Sequence, residues 1–128
     1  MNQIGRIISG FFLFVVIPAI TKAQADTTKS QQYKHVEIVT FKPGTSDSSK
    51  HLVDKSYRQA ADAFPMVKAF EWGWDDNDKS QNTRIYTTTF NSKGDLTTYS
   101  SSPVHQTITK TKPASVVNIT TVDYPVNK

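Results

Sequence analysis

The chain has 128 residues, a formal net charge of +4 and no cysteine. This length suits one small domain, and the missing thiol excludes disulfides and a cysteine-linked lipid. Residues 26–128 hold 13 basic and 11 acidic residues with scattered lysines, which argues against a nucleic-acid partner. A domain of this size without disulfides depends on its apolar core or on association with a second copy.

The first 25 residues have the pattern of a secretory signal peptide. Arg6 precedes an uncharged apolar stretch over residues 7–20, and a small-x-small pattern ends at Ala25. We expect cleavage after Ala25 and no stable membrane anchor afterwards. A retained anchor is the alternative, but an apolar stretch broken by Pro18 is short for a bilayer that needs about 20 residues.

The remaining chain predicts an α+β domain over residues 33–126, after a polar lead-in over residues 26–32. Alternating β-branched and aromatic residues indicate strands, and apolar residues three or four apart indicate helices. The predicted strands cover 33–42, 67–74, 84–90 and 116–124, and the predicted helices run from Thr45 or Ser46 to before Pro65, over 93–101, and in a helical or irregular stretch from Pro103 to Pro113. The order β-α-β-β-α-β, with an antiparallel sheet, is ferredoxin-like.

The predicted packing leaves one face of the sheet bare. The first helix has an apolar side made of Leu52, Val53, Tyr57, Ala60, Ala61 and Phe64. The faces of the sheet receive Val36, Ile38, Phe70, Trp72 and Ile85. Because an uncovered apolar face needs a partner, and a two-fold contact is self-complementary, we expect a homodimer.

Several short markers, in order, give the chain a family resemblance. They are Lys34-His35-Val36 with Phe41-Lys42, Pro65-Met66-Val67 before Trp72-Gly73, Leu96 and Tyr99 before Pro103 and His105, and the final Val122-Asp123-Tyr124-Pro125. Together they resemble the stress-responsive A/B barrel family, also called dimeric α+β barrel or Dabb domains. The resemblance implies two protomers whose sheets form a barrel, with a cleft between sheet and helices in each. A cleavable leader on such a domain favours an exported bacterial protein, periplasmic or secreted.

The acid/base positions are similar to those of one branch, the plant cyclase that forms olivetolic acid. That similarity implies catalytic roles for Tyr99, His105 and Asp123, with Asp123 orienting His105. The cleft-lining positions are His35, Glu37, Tyr57 and Tyr86. The chain departs from the family at Glu37, usually apolar, at Ser102, often histidine, and at Arg84, a histidine in the cyclase.

The residues at the cleft permit three functions. His105 as general base and Tyr99 as hydrogen-bond donor suit a cyclase or lyase. A stress-associated binding module for a small organic ligand needs the cleft without the chemistry. In a structural dimer without ligand, His105 bonds Asp123 and only fastens helix to strand.

Metal binding has weaker support in the sequence. His35, Glu37 and an aspartate suit several divalent ions, but the spacing defines no geometry, so we expect neither metal nor cofactor. The acidic segment 75–78 lacks the glycine and the terminal glutamate of a helix-loop-helix calcium site. We therefore interpret it as a solvated turn.

Overall fold

The computed structural model describes residues 30–110 and 112–127. The predicted signal peptide, residues 1–25, lies outside the described residues, as do residues 26–29 of the predicted lead-in. Among the helices in the described part of the chain, none is both long and apolar enough to cross a membrane.

The described elements follow the predicted order, with the second helical region split in two. The chain forms β1 (Tyr33–Phe41), α1 (Asp47–Asp62), β2 (Val67–Trp74), β3 (Thr83–Phe90), α2 (Lys93–Ser100), α3 (Pro103–Lys110) and β4 (Val116–Pro125). The strands form one antiparallel sheet in the order β2-β3-β1-β4. The ferredoxin-like prediction is thereby confirmed, and β1 lies in the middle of the sheet, where it can carry buried side chains.

The helices pack against the sheet face that carries His35, Glu37, Val39 and Phe41 of β1. These four residues share one face because the pleat of a β-strand places successive side chains on opposite faces. The main core cluster contains Val39, Phe41, Val53, Tyr57, Tyr86 and Val116, and a second contains Phe90, Leu96 and Tyr99.

The predicted apolar side of α1 is wrong at one position. Leu52 is 67% exposed, whereas Lys50 and Asp54 are buried on this helix. The buried face of α1 is therefore rotated slightly about the helix axis relative to the predicted face. Asp54 can be buried because it has polar partners on β3, whereas Leu52 faces outward.

The opposite sheet face has no helix among the described residues. Val36, Ile38 and Ile85 are half-buried there, while Val122 and Tyr124 are 46% and 42% exposed. Phe70 and Trp72, by contrast, pair across the strands with Thr88 and Tyr86 and so share the helix side of the sheet. The uncovered face is the surface that an apolar partner would cover.

Candidate functional site

Two ionisable side chains of β1 enter the protein interior two residues apart. His35 and Glu37 share one face of the strand because side chains alternate along it, and they are 2% and 1% exposed. Buried charged groups are rare unless they are paired. Their presence at the centre of the sheet therefore indicates a specific set of partners.

A serine cap places the third ionisable group against this pair. Ser102 is buried between α2 and α3, and its hydroxyl donates to the Tyr99 carbonyl and accepts from the His105 backbone N–H. Ser102 thus acts as the N-cap of α3, and Pro103 follows at the first helical position, where its missing N–H costs nothing. The segment Ser102-Pro103-Val104-His105 consequently turns the His105 ring toward the sheet.

His35, Glu37 and His105 meet at three atoms. The Nε2 atoms of the two histidines are 3.1 Å apart, and Glu37 Oε2 lies 3.2 Å from His105 Nε2 and 3.4 Å from His35 Nε2. All three residues are at most 4% exposed. Among the described residues they also form a group whose geometry could hold a metal ion.

The predicted pairing of Asp123 with His105 is wrong. Asp123 lies directly opposite His35 in the β1–β4 register, and its Oδ1 accepts a hydrogen bond from His35 Nδ1 at 2.6 Å. The side chain of Asp123 is 45% exposed. Strand register therefore decides which histidine the carboxylate orients, and a connected chain runs from solvent-facing Asp123 through His35 to His105 and Glu37. We call these four residues the His35 cluster.

Charge pairing shifts two pKa values within the His35 cluster. Burial lowers the pKa of His35, but hydrogen bonds and charges from Glu37 and Asp123 outweigh it and raise the pKa above its ordinary 6.5. Burial raises the pKa of Glu37, but His105 and His35 outweigh it, so this pKa is lowered. The Glu37 carboxyl is therefore held in its ionised form.

Two tyrosines border the His35 cluster. The Tyr99 ring lies 4.7 Å from the His105 ring and 5.9 Å from the His35 ring, measured between centroids. Burial raises the pKa of Tyr99 to about 12, with a contribution from Glu37 and a partial offset from the nearby Thr88 side chain. Burial, followed by the charge of Glu37, also raises the pKa of Tyr57. Both hydroxyls are therefore proton donors at neutral pH.

Several buried polar atoms around the His35 cluster lack a partner. Within residues 30–110 and 112–127, Glu37 Oε1, Tyr57 Oη, Tyr99 Oη and His105 Nδ1 have no hydrogen bond of good geometry. We call them the four open polar atoms. Buried polar groups are nearly always paired, so a molecule that offers donors and acceptors would complete this part of the structure.

A second buried polar cluster, not predicted from the sequence, includes the hydroxyl of Tyr86. Asp54 Oδ1 accepts a 2.6 Å hydrogen bond from the Tyr86 hydroxyl and lies 3.5 Å from Arg84 Nε. The stacked rings of Tyr57 and Tyr86 have centroids 3.9 Å apart. We call Asp54, Arg84 and Tyr86 the Asp54 cluster. The sequence contained one indication of this cluster. Asp54 lies three residues before Tyr57, a spacing that places both side chains on the same side of α1.

The structure brings most of the residues predicted for the cleft together, but the hydroxyl of one of them bonds elsewhere. His35, Glu37, Tyr99, His105 and Asp123 form one connected group. Tyr57 borders it, whereas the hydroxyl of Tyr86 belongs to the Asp54 cluster. The arrangement offers an ionised carboxylate, two histidines and two tyrosine hydroxyls in one buried place, which is a polar site enclosed by aromatic walls.

Fold and site together define an α+β sheet protein of the ferredoxin-like type, with a buried acid–base cluster under its helices. Residues 33–126 match the model of the stress responsive A/B barrel domain, and the chain belongs to this family. The stress-response A/B barrel domain-containing protein HS1 of Arabidopsis thaliana is 30% identical over 94 residues, which are 71% of this chain and 86% of that protein.

Solved structures carry the same fold. A hydroxynitrile lyase from Passiflora edulis is similar at a TM-score of 0.65 and 21% identity, over 77% of this chain and 96% of its own. A dimeric protein of ferredoxin-like fold from Bacteroides fragilis is similar at a TM-score of 0.55 and 22% identity, over 74% and 96%. These likenesses concern the fold, and the similarity to the cyclase branch stays a prediction.

Proposed function

We propose that this protein is an exported homodimer that binds a small oxygen-bearing organic molecule in a buried polar pocket of each protomer. The observation that carries the proposal is the set of four open polar atoms. An unpaired buried polar group costs about 1–3 kcal/mol. A guest that pairs several of them would therefore gain free energy on binding.

The chemistry of the pocket selects the class of guest. Tyr57 and Tyr99 offer O–H donors, and Glu37 offers an acceptor oxygen. The rings of Phe64 and Phe90 lie 5.3 Å and 5.2 Å from the Tyr99 ring and supply apolar walls. Ligand sites typically combine mostly apolar walls with a few placed polar groups. An aromatic molecule with a carbonyl, carboxylate or hydroxyl group fits this description.

Ligand-observed NMR tests the binding proposal with phenol, benzoate and benzaldehyde as probes. We expect at least one probe to bind the purified protein and to lose most of its binding in His105→Ala. The matched control is His51→Ala, because the side chain of His51 is 67% exposed on α1 and lies 3.2 Å from Asp54 Oδ2, outside the His35 cluster. Failure of all three probes, or equal binding by His105→Ala, would contradict the proposal.

The dimer and the export are proposed on separate grounds. The uncovered sheet face carries the apolar side chains of Val36, Ile38, Val122 and Tyr124 beside the Lys34–Glu71 ion pair, and a structural relative is described as dimeric. Light scattering on the purified protein should give twice the mass of the chain, and Val122→Lys should shift it toward the monomer. Export rests on the leader pattern of residues 1–25, and N-terminal sequencing of the exported protein should begin at Asp26.

A second candidate function is proton-transfer catalysis of the cyclase or lyase type. The observation that favours it is the connected chain from half-exposed Asp123 through His35 to His105, which links a buried base to solvent. In this reaction His105 takes a proton next to a carbonyl, and Tyr99 donates to the developing oxyanion.

Deuterium exchange next to the carbonyl of phenylacetaldehyde, followed by NMR, tests the catalytic candidate. A general base contributes about 10²–10⁴-fold, so His105→Ala should lose an acceleration of that order while His51→Ala keeps it. Exchange no faster than in buffer would contradict the candidate and leave the binding proposal standing.

A further inference from the structure

The point where His35, Glu37 and His105 meet is a triangle of three inward-facing atoms. Its sides are 3.1 Å between the two Nε2 atoms, 3.2 Å from His105 Nε2 to Glu37 Oε2, and 3.4 Å from His35 Nε2 to the same oxygen. Each atom therefore lies at contact distance from both others, deep in the protein.

Hydrogen bonds cannot satisfy all three sides of this triangle. An imidazole nitrogen either donates or accepts, and an ionised carboxylate only accepts. If one nitrogen carries a proton, the other nitrogen faces Glu37 Oε2 lone pair to lone pair. If both carry protons, both N–H groups can donate to Glu37 Oε2, and the two nitrogens then lie 3.1 Å apart with no hydrogen bond between them. Every arrangement with an ionised Glu37 leaves one side without a hydrogen bond.

A cation at the centre of the triangle removes this conflict, because all three lone pairs can then point inward. A metal ion bound at about 2.1 Å, with angles between octahedral and tetrahedral, holds its ligand atoms about 3.0–3.4 Å apart. The observed sides fall in this range. We infer that His35, Glu37 and His105 bind a divalent transition-metal ion of the Zn²⁺ or Fe²⁺ class.

The donor set decides the class of metal. Two imidazole nitrogens and one carboxylate oxygen suit zinc and iron, and such a triad with open positions is typical of catalytic sites. Mg²⁺ and Ca²⁺ prefer sites built from oxygen ligands. The expectation from sequence that no metal binds is therefore replaced by this inference, since the fold brings His105 to a pair that spacing alone could not complete.

Asp123 supplies the outer support that such a site needs. Histidines that bind metal usually donate their other ring N–H to a carboxylate or carbonyl, which fixes the tautomer. His35 Nδ1 donates to Asp123 Oδ1 at 2.6 Å, which leaves the Nε2 lone pair directed at the triangle. Because Asp123 is half-exposed, this side of the site also borders solvent.

Three protein ligands leave coordination positions free for water or a guest. Glu37 Oε1 can become a second ligand oxygen, and the hydroxyls of Tyr57 and Tyr99, which also lack a hydrogen bond among the described residues, can donate to a bound oxygen. In the loaded protein the Nε2 lone pair of His105 belongs to the ion, so metal binding and the general-base role of His105 exclude each other.

Metal titration of the purified protein, after removal of metal with a chelator, tests this inference. We expect one Zn²⁺ per chain by calorimetry, and a Co²⁺ absorption spectrum typical of mixed nitrogen and oxygen ligands. Asp123→Asn should weaken binding about 10–100-fold, as for other outer-shell partners, and Glu37→Gln and His105→Ala should weaken it more than that. Mg²⁺ should not displace Co²⁺.

His51→Ala is the matched control, because His51 is the remaining one of the three histidines of the sequence and lies outside the triangle. It should bind Zn²⁺ as the parent does, and circular dichroism should show every variant folded. Glu37→Gln keeps the shape of the side chain and so separates loss of a ligand from loss of the fold. Absence of Zn²⁺ binding in the parent, binding unchanged in Glu37→Gln and Asp123→Asn, or displacement by Mg²⁺ would overturn the inference. Because no organic probe is present, this result is independent of the proposed ligand pocket.

Discussion

The two buried polar clusters lie on the same side of the same sheet, yet they differ in how many of their buried polar atoms have hydrogen-bond partners. In the Asp54 cluster the carboxylate is bonded by Tyr86 and faces Arg84, whose charged end also lies 5.6 Å and 5.5 Å from the rings of Trp72 and Trp74. Among the described residues, four open polar atoms remain around the His35 cluster, against one, Arg84 Nε, in the Asp54 cluster. A buried group whose partners belong to the protein stabilises the fold, whereas one left unpaired costs stability, and such a cost is typical of functional sites.

The strongest test of this contrast removes the central carboxylate of the Asp54 cluster. Asp54→Ala leaves the Arg84 guanidinium buried without its counter-charge, and breaking a buried pair in this way costs about 3–5 kcal/mol. We expect a loss near 3 kcal/mol in urea unfolding, since the two tryptophan rings keep part of the stabilisation of Arg84. Asp62→Ala, an exposed aspartate at the end of the same helix, should change stability little. A loss below 1 kcal/mol for Asp54→Ala would show that the cluster is not structural.

Two tyrosine hydroxyls give a matched pair for the next test. Tyr86→Phe removes a hydrogen bond to a buried carboxylate, which should cost about 2 kcal/mol. Tyr99→Phe removes one of the four open polar atoms, so stability should stay unchanged or rise. Both variants keep the ring and its packing, and their urea midpoints compare them directly. Equal losses in the two variants would mean that the Tyr99 hydroxyl has a partner in solution, and the contrast between the clusters would fail.

Replacing the central carboxylate of the His35 cluster should have an effect of opposite sign. Glu37→Leu removes one partner of a buried charged group, which is costly when the remaining charge cannot be lost. An imidazole can exist in the neutral form, whereas the Arg84 guanidinium cannot. The side between His35 and His105 then remains as one ordinary donor–acceptor pair. We expect no loss, or a gain of about 1 kcal/mol, in urea unfolding without metal.

Asp54→Leu is the matched substitution for Glu37→Leu, since it places the same side chain in the other cluster. It should still lose about 3 kcal/mol because Arg84 stays buried. A loss of similar size in Glu37→Leu would make the His35 cluster a structural element of the fold.

These differences also explain what could be predicted from the sequence. The strands and helices follow from local periodicity, which is why β2 is predicted with its observed ends. Alternation along β1 likewise places His35 and Glu37 on one face. The partner of Asp123 depends on how β4 is paired with β1, and a single sequence does not contain that register. The same holds for Asp54, whose buried position depends on Tyr86 and Arg84, residues about thirty positions away.

The smallest expected effect concerns a carboxylate with several partners at the surface. In the turn between β2 and β3, Asp78 accepts hydrogen bonds from Ser80, Asn82 and Thr83. Hydrogen bonds from Ser80, and then from Thr83, lower the pKa of Asp78 below its ordinary 3.8. If burial, and not the number of hydrogen bonds, makes the Asp54 cluster important, Asp78→Asn must destabilise the protein far less than Asp54→Ala.

The pH dependence of Asp78→Asn gives this last comparison a definite sign. Because the pKa of Asp78 is lowered in the folded state, its stabilising contribution is present above the unfolded pKa and is lost as pH falls through the folded one. The parent should therefore be slightly more stable than Asp78→Asn at about pH 7. The difference should begin to shrink near the ordinary aspartate pKa of about 3.9 and vanish once the pH is below the lowered pKa of the folded state. Urea midpoints of both proteins along the acid range measure it, and the other carboxyl groups cancel because they titrate alike in both. A difference that persists unchanged into acid would mean that the amide, and not the lost charge, is responsible.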